Sequence, residues 1–282
     1  MLIAQISDVH IGFDRGNPDE LNMQRLRAVL QRLTTSPNRP DLLLMTGDLT
    51  ESGDAESYAL LAEAVRLCPF PVLAMTGNHD EREPLLAAFP DTPSEGGFVQ
   101  YVIARPGFRL VVIDTLEPGR HGGAFCETRV AWLRATLAAD RETPTWIAMH
   151  HPPFESGITW LDSSEDEAWI ARFAGAVAGF PQLRGIIAGH LHRSIHTQWN
   201  GLSISVCPST APAVGLDLSP IDAYVPDDRE LITDEAPGYA LHRWDGQRLI
   251  THGEAIGHHN ALARFDAGLQ PMIKGMMAER RE

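Results

Sequence analysis

The stretch Met1-Leu2-Ile3-Ala4-Gln5-Ile6-Ser7-Asp8-Val9-His10 decides the fold, because an apolar run ends there on two residues that bind metal ions. Four later segments repeat this arrangement, each placing an aspartate, asparagine or histidine directly after a buried-strand pattern. They are Gly47-Asp48, Gly77-Asn78-His79-Asp80, His150-His151 and Gly189-His190-Leu191-His192. The pattern predicts strands at residues 2–6, 42–45, 72–75, 146–149 and 185–188.

The five segments are expected to meet at one point. In open α/β sheets, functional groups gather just beyond the carboxyl ends of the strands. Within the pairs Asp8/His10 and His190/His192, the i, i+2 spacing predicts that both side chains point to the same face of an extended segment. The mixture of carboxylate, amide and imidazole donors suits Mn, Fe, Zn or Co better than thiolate-preferring or all-oxygen-bound ions.

The segments between these strands carry helical periodicity. A first helix is predicted to begin near Asn17-Pro18 and to end before Pro37, with further helices at 56–67, 128–139 and 165–177. Residues 98–103 and 108–114 flank Arg105-Pro106-Gly107, which predicts a hairpin leading into a second sheet. The expected fold class is α/β, a four-layer α/β/β/α sandwich of two mixed sheets with outer helices.

The composition changes after Val206, where prolines and acidic residues become frequent. Residues 1–206 are therefore predicted to form the core, and residues 207–282 a C-terminal insertion and closing hairpin that serves as a cap or an oligomerisation extension. The acidic run from Asp217 to Glu235 is more often a solvated face than a lid, although long loops are commonly functional. Residues 239–244 and 248–252 predict the closing hairpin around Asp245-Gly246.

The charge of the chain limits its partners. The formal net charge is -14 at pH 7, and Lys274 is the only lysine. Such a chain repels nucleic-acid polymers and anionic membranes in bulk. A small anionic substrate stays compatible, because bound divalent ions would reverse the local sign of the charge.

The cysteine pattern and the N-terminus predict a cytoplasmic protein. Cys68, Cys126 and Cys207 are odd in number and form no CxxC pair, which argues against a disulfide framework or a zinc ribbon. The apolar residues 1–6 lack the basic region of a signal peptide. No apolar run approaches the ~20 residues that span a bilayer, so no membrane association is expected.

The motifs resemble the five signature blocks of the calcineurin-like metallophosphoesterases, and they extend from residue 8 to residue 192. Within that superfamily the chain is similar to the bacterial class III cyclic nucleotide phosphodiesterases and the related glycerophosphodiesterases. His150-His151-Pro152-Pro153 and Pro208-Ser209-Thr210 add to this similarity. The resemblance implies a metallophosphoesterase fold with two divalent or trivalent metal ions, from among Mn, Fe, Zn and Co.

The resemblance also implies a role for each site residue. Asp48 would bridge the two ions, and a metal-bridging hydroxide would attack phosphorus. His79 would donate to the phosphoryl oxygen or the leaving group, and Asp80 could orient His79 or a ligand. The ligands of one ion would be Asp8, His10 and His192, and those of the other Asn78, His150 and His190.

Three departures separate the chain from neighbouring subfamilies. Purple acid phosphatases place a tyrosine ligand three residues after the bridging aspartate, where this chain has Glu51. Ser/Thr protein phosphatases follow this block with a VDRG-like sequence and carry a glutamate after the Asn-His pair, where this chain has Leu49-Thr50-Glu51 and Asp80. The glycerophosphodiesterases are expected to carry a histidine in the loop at 208–215, which contains none here.

The leading hypothesis is a metal-dependent phosphodiesterase acting on small cyclic nucleotides or glycerophosphodiesters. A phosphomonoesterase and a non-catalytic scaffold of the same fold are the alternatives, and a nuclease is disfavoured because no basic track is evident. The remaining histidines, including His121 and His258-His259, are assigned to surface or core duty. A homodimer or higher homo-oligomer is predicted from apolar residues outside the inferred core, namely residues 211–216, Met272, Met276 and Met277.

The aromatic residues beside the ligand loops leave the substrate open. Phe13, Phe154 and Trp160 follow these loops and are more often packing residues than stacking partners for a base or leaving group. His151 has two readings of equal weight, support of the Pro152-Pro153 turn or contact with substrate.

Overall fold

A computed structural model describes residues 1–257 and 260–281. The main strands are β1 (Leu2–Ile6), β2 (Leu42–Thr46), β3 (Val72–Met75), β4 (Tyr101–Arg105), β5 (Phe108–Val112), β6 (Thr145–Ala148), β7 (Leu183–Ala188), β8 (Ile195–Trp199), β9 (Leu202–Val206), β10 (Ala213–Val214), β11 (Ile232–Thr233), β12 (Gly238–Trp244) and β13 (Leu249–Ala255). The helices are α1 (Leu21–Thr35), α2 (Ala55–Val65), α3 (Arg82–Ala88), α4 (Glu127–Ala138), α5 (Ala168–Val177) and α6 (Gln270–Ala278).

The long strands form two mixed sheets. The first has the order β13-β12-β1-β2-β3, and the second has the order β4-β5-β6-β7-β9-β8. Strands β1, β2 and β3 are parallel to one another, as are β5, β6, β7 and β9. Strands β10 and β11 form a separate small ribbon. The carboxyl ends of the parallel strands carry the loops that matter for function.

The second sheet is buried on both faces. Along β5, Leu110 and Val112 belong to the core shared with the first sheet, α1 and α2, whereas Val111 packs with α4 and α5. This period-two alternation places the second sheet between the first sheet and the α4/α5 layer. Gln5 joins the sheets directly, because its Nε2 donates to Thr46 Oγ1 (2.8 Å) and to the Ala188 carbonyl (2.9 Å). The predicted α/β class with two mixed sheets is confirmed.

The strands that lead into the predicted ligand loops agree with the sequence to within two residues. The fourth predicted helix begins at Ala168 rather than at residue 165, and the hairpin strands are β4 and β5 around the turn at Pro106-Gly107. The sequence did not predict α3, β8, β9, β10, β11 or α6. Cys68, Cys126 and Cys207 are free cysteines.

The closing hairpin is part of the first sheet. Strand β12 pairs with β1, and β13 pairs with β12, so residues 238–255 extend the core sheet instead of lying apart from it. Helix α6 follows with no buried residue. The division at residue 206 and the cap remain predictions, and His258-His259 lie outside the described residues. Among the described helices, none has the length and apolar content that crossing a bilayer requires.

Candidate metal centre

The predicted ligand loops of the two sheets are joined by hydrogen bonds at the strand ends. The Asp8 amide donates to the Gly47 carbonyl (3.0 Å), which links the loops after β1 and β2. The Gly189 amide donates to the His150 carbonyl (3.1 Å), which links the loops after β6 and β7. The His190 amide donates to Asp8 Oδ1 (3.0 Å), and this bond crosses from one sheet to the other. The loops therefore form one connected structure.

The backbone at the centre is strained. Of the seven non-glycine residues with a positive φ in the described chain, five are predicted metal ligands. Their φ angles are 53° at Asp8, 51° at His10, 49° at Asp48, 73° at His190 and 53° at His192. Left-handed backbone is costly for such residues and is concentrated at functional sites. The sequence expectation of an extended segment for the i, i+2 pairs is wrong, because left-handed turns aim these side chains.

Two glycines permit the close approach of the loops. A Cβ at Gly77 would lie 2.2 Å from Asp48 Oδ1 and 2.3 Å from the Asp48 amide nitrogen. Gly47 has a φ of +93°, and a Cβ there would lie 2.5 Å from His150 Nδ1. Any side chain at either position would displace a predicted ligand. These contacts explain why glycine precedes both Asp48 and Asn78.

A first cluster of donor atoms surrounds the ring of His10. Its Nε2 lies 3.2 Å from His192 Nε2 and 3.6 Å from Asp48 Oδ2. Asp8 Oδ1 lies 3.7 Å from His192 Nε2. Asp8, His10 and His192 thus bring one donor atom each within 4.8 Å of one another, close enough for a single ion.

A second cluster surrounds the ring of His150, which is fully buried. Its Nε2 lies 3.2 Å from Asn78 Oδ1 and 3.3 Å from Asp48 Oδ2. The ring of His190 lies beside it, with a centroid distance of 5.2 Å. Because Asp48 Oδ2 is close to a histidine nitrogen of each cluster, this carboxylate lies between the two groups of donors.

The outer nitrogens of three histidines are held by acceptors, which leaves Nε2 for the centre. The pairs are His10 Nδ1 to Glu51 Oε2 (2.8 Å), His150 Nδ1 to the Thr46 carbonyl (2.8 Å) and His192 Nδ1 to the Pro212 carbonyl (2.9 Å). Metal-binding histidines characteristically donate their other ring N–H in this way. The Nε2 atoms of His10 and His192 then face each other, and a proton or a metal ion must separate their lone pairs. The donor set therefore fits metal ions.

His151 also lies within metal-binding distance of His150 and His190. Its Nε2 is 3.0 Å from the His121 carbonyl and its Nδ1 is 2.8 Å from Thr115 Oγ1. A carbonyl only accepts, so Nε2 carries the proton and Nδ1 accepts from the Thr115 hydroxyl. Neither nitrogen is left to bind an ion, which assigns His151 to the support of a loop.

His79 faces the clusters without belonging to the predicted ligand set. Its amide donates to Asp48 Oδ1 (2.9 Å), and its Nδ1 lies 2.9 Å from the Glu51 carbonyl. The ring packs edge-on against His10 at a centroid distance of 4.7 Å. Nδ1 donates to this carbonyl, which leaves Nε2 free of that contact. His10, Asp48 and His79 also come within 4.8 Å, so His79 is a further possible ligand by distance alone.

Asp80 supports the loops and does not orient the ring of His79. Its carboxylate accepts from the amides of Leu49 (3.1 Å) and Gly77 (2.8 Å) and from the Tyr58 hydroxyl (2.7 Å). It therefore ties the loop after β2 to the loop after β3. Asp80 therefore does not orient His79, which was one of its two expected roles. Its bonds to backbone amides support the loops that carry Asp48 and Asn78.

The sequence model of the calcineurin-like phosphoesterases matches residues 1–194, which contain both clusters. The chain belongs to this family. Its recognition from the five motifs is confirmed. The match covers the strands and loops that position all seven predicted ligands, whereas residues after 194 lie outside it.

Relatives in the family cover nearly the whole chain. A probable glycerophosphodiester phosphodiesterase from Arcobacter nitrofigilis is 30% identical over 91% of this chain and 94% of its own length. A probable cyclic nucleotide phosphodiesterase from Rhodopseudomonas palustris is 31% identical over 81% of this chain and 82% of its own length. In structure, a dimetal phosphatase from Danio rerio has a TM-score of 0.65 at 14% identity, covering 91% of this chain and 96% of that one. This likeness shows the fold.

The electrostatics of this calcineurin-like centre favour cations. Burial alone would lower the pKa of His150, but the Asp48 and Asp8 carboxylates outweigh it and raise that pKa to about 9. Burial opposes ionisation of Asp48 as well, yet His150 and His10 hold its pKa well below the usual range. The carboxylates thus attract protons to His10 and His150. Metal ions would compete for the same positions.

Metal affinity is expected to rise with pH. A proton on His150 must leave before Nε2 binds an ion, and with a pKa near 9 that proton is held throughout the neutral range. Raising the pH from about 6 to about 8 should therefore tighten Mn²⁺ binding by roughly tenfold or more, with proton release on binding. Calorimetry in buffers of different ionisation enthalpy measures both quantities. An affinity that stays constant over this range would contradict the assignment of His150.

Glu51 is a candidate functional residue that the sequence did not predict. It stood out only as the residue that replaces the tyrosine ligand of purple acid phosphatases. Its carboxylate holds His10 Nδ1 (2.8 Å), and its backbone carbonyl accepts from His79. One residue thus orients two histidines of the centre. Burial opposes ionisation of Glu51, but the hydrogen bond from His10 lowers its pKa. The signal in the sequence that could have identified Glu51 is its carboxylate, three residues after the predicted ligand Asp48.

Glu51→Gln is expected to weaken metal binding by about tenfold, because loss of a partner that orients a ligand typically costs 10- to 100-fold. Competition with a fluorescent chelator measures this change. Glu63→Gln is the matched control, since Glu63 lies exposed on α2 and pairs with Arg66 on the same helix side. Equal metal affinity in the two variants would remove the role assigned to Glu51.

The centre opens into a cleft of about 850 Å³. Phe13 and Trp160 lie on its wall with 72% and 39% of their surface exposed, whereas Phe154 is packed in the core. The Phe13 loop is fixed because Glu20 accepts from the amides of Gly12 (2.6 Å) and Asp14 (2.7 Å). The cleft therefore offers apolar surface next to the donor clusters.

Proposed function

We propose that the chain hydrolyses small phosphodiesters and holds two metal ions at this centre. The observation that carries the proposal is the cleft, in which apolar walls surround the clusters and basic groups are scarce. Arg120 is the only arginine or lysine among the described residues that line it. Arg120 lies 3.5 Å from Glu167, so part of its charge is already neutralised.

The charge of the cleft favours diesters over monoesters. Asp14, Glu20, Asp162 and Glu167 line the cleft together with the single arginine. A diester carries one negative charge, whereas a monoester carries close to two at neutral pH. These carboxylates repel the second negative charge of a monoester. The open apolar wall accommodates the second substituent on the phosphorus of a diester. A phosphomonoesterase would be served better by a narrow basic pocket.

The ligand assignment follows the two clusters. We assign Asp8, His10 and His192 to one ion, Asn78, His150 and His190 to the other, and Asp48 to both. Bound ions of this kind supply Lewis-acid charge and a hydroxide nucleophile at neutral pH. Mn, Fe, Zn and Co all accept histidine ligands. The donor set therefore leaves the native metals open among these four.

The protein residues supply orientation. Glu51, Thr46 and Pro212 fix the ligand rings through Nδ1. His79, held by Glu51, presents its Nε2 toward the cleft and acts on the phosphoryl oxygen or the leaving group. The cleft walls hold the substituents away from water.

The relatives named above are a glycerophosphodiester phosphodiesterase and a cyclic nucleotide phosphodiesterase. Both substrates are small diesters, so the shared class is the one we propose for this chain. The loop at 208–215 contains no histidine, which favours cyclic nucleotides over glycerophosphodiesters. Hydrolysis of cAMP beside glycerophosphoethanolamine by the same preparation distinguishes the two.

The test compares bis(p-nitrophenyl) phosphate with p-nitrophenyl phosphate on chelator-stripped protein reloaded with Mn²⁺. The proposal expects kcat/KM for the diester to exceed that for the monoester by about tenfold or more. A preference for the monoester would make the chain a phosphatase. If neither compound is hydrolysed in a metal-dependent way, the result would support a scaffold that keeps only the fold.

We further propose that the chain forms a homo-oligomer. Met272, Met276 and Met277 on α6 are each more than half exposed, and Leu262 and Phe265 before it are exposed as well. Exposed apolar residues in one segment are typical of protein contacts. Light scattering at micromolar concentration should give at least twice the chain mass, and a monomer would remove this proposal.

A further inference from the structure

The loop between β5 and α4 brings a second histidine to the cleft beside His79. His121 lies on this loop, is exposed, and lines the cleft. Its ring centroid is 5.7 Å from that of His79. Among the described residues, none of the donor clusters includes His121. An imidazole next to the reacting centre, outside the ligand set, is placed to meet the substrate.

His151 fixes the position of this loop. Its Nε2 donates to the His121 carbonyl (3.0 Å), and its Nδ1 accepts from the Thr115 hydroxyl (2.8 Å). The two bonds fall at opposite ends of the segment 115–121. Because His151 is fully buried and follows His150 directly, the loop is attached to the metal centre through adjacent residues.

A buried arginine fixes the base of the same loop. Arg129 on α4 donates through Nη1 to the carbonyls of Asp114 (3.0 Å) and Leu116 (3.1 Å). Asp114 is itself held by two bonds from Arg82 (2.9 and 2.8 Å). The His121 side chain is therefore exposed, while the backbone of its loop is held rigidly by these bonds. A group that binds substrate needs this kind of support.

We propose that His121 contacts the diester and donates an imidazole N–H to its leaving-group oxygen, and that His151 is the positioning residue that holds His121 there. The inference rests on the proposed phosphodiesterase function and names a residue that determines which leaving groups are accepted. His79 and His121 line the same cleft with ring centroids 5.7 Å apart, so both can contact one bound phosphate.

The chemical step is a hydrolysis. A bond forms between phosphorus and the attacking oxygen, while the bond between phosphorus and the leaving oxygen breaks and its electron pair stays on that oxygen. The hydrogen bond from His121 stabilises this growing charge without transferring its proton. The leaving alkoxide takes its proton from solvent, and the attacking water gives one up.

The stabilisation matters most for a poor leaving group. His121→Ala should lower kcat for methyl phenyl phosphate by about tenfold to a hundredfold. Removing one hydrogen-bond donor to a developing oxyanion usually lowers kcat by about 10²- to 10³-fold. The nitrophenolate of bis(p-nitrophenyl) phosphate needs less help, so its kcat should fall by about threefold or less. His121→Gln keeps an N–H donor and should restore most of the loss.

The positioning role of His151 is tested by a double-mutant cycle. His151→Ala should reduce turnover of methyl phenyl phosphate as much as His121→Ala does, and the double variant should be no slower than either. Bound metal should stay at the wild-type level in all of them. His151→Gln, whose amide reaches the place of Nε2, should retain activity and guards against a folding defect in His151→Ala.

The outcomes separate the inference from the function on which it rests. If wild-type protein hydrolyses neither diester, the proposed function fails. If it hydrolyses both and His121→Ala leaves the methyl phenyl phosphate rate unchanged, the contact with His121 is wrong. Loss of metal in His151→Gln, or additive losses in the cycle, would overturn the positioning role.

Discussion

Asp48→Asn lowers kcat for bis(p-nitrophenyl) phosphate by about a thousandfold or more in this account. The carboxylate is 2% exposed, and its Oδ2 lies 3.3 Å from His150 Nε2 and 3.6 Å from His10 Nε2. Asparagine keeps the volume and an oxygen for the His79 amide, but it removes the negative charge between the two donor clusters. Losing preorganised charge at a reacting centre costs 10²- to 10³-fold, and loss of bound metal adds to this.

Metal analysis of Asp48→Asn should show less bound Mn²⁺ than wild type at equal free metal. Asp54→Asn is the matched control, since Asp54 caps α2 through a bond to the Ser57 amide that asparagine also makes. Its turnover should match wild type. Full activity of Asp48→Asn with full metal content would contradict the bridging assignment.

His79→Ala lowers kcat by about a hundredfold while bound metal stays at the wild-type level. The residue is held through its amide by Asp48 and through Nδ1 by the Glu51 carbonyl, so its Nε2 is directed by the protein. A positioned acid or hydrogen-bond donor typically contributes 10²- to 10⁴-fold. KM for the diester should change less than kcat, because the group acts on charge that develops during the reaction.

The metal content of His79→Ala decides between two roles. His79 lies within ion-binding distance of His10 and Asp48, so a ligand role predicts loss of metal as well as turnover. His196→Ala on β8 is the control, because His196 is exposed and lies in neither cluster. Retained metal with slow turnover supports the assignment made here.

The sequence predicted the sheets well because their parallel strands are buried. Strand β2 is buried at every position and appears in the sequence as the continuous apolar run Leu42–Met45 before Thr46. The seven predicted ligands follow such runs directly, which is why the sequence points to them as candidates. Helix α3 was missed because it has seven residues and buries only Leu85, which leaves little periodicity to detect.

The details that create the site depend on contacts between distant residues. The carboxylate of Asp8, which has left-handed backbone, accepts a bond from the His190 amide of the other sheet, and local spacing suggested extended backbone because it carries no sign of that bond. His121 carries no local motif, and its carbonyl is bound at the cleft by His151, thirty residues later. Residue type and order indicate the candidate ligands, whereas tertiary hydrogen bonds show which groups position them.

The most direct test of the two-metal phosphodiesterase is a titration of Mn²⁺ into chelator-stripped protein, with hydrolysis of bis(p-nitrophenyl) phosphate and bound metal measured on the same samples. The account predicts that turnover reaches its plateau only when two ions are bound per chain, and that Asp48→Asn reaches no such plateau. Full turnover with a single bound ion, or turnover that persists without metal, would contradict it.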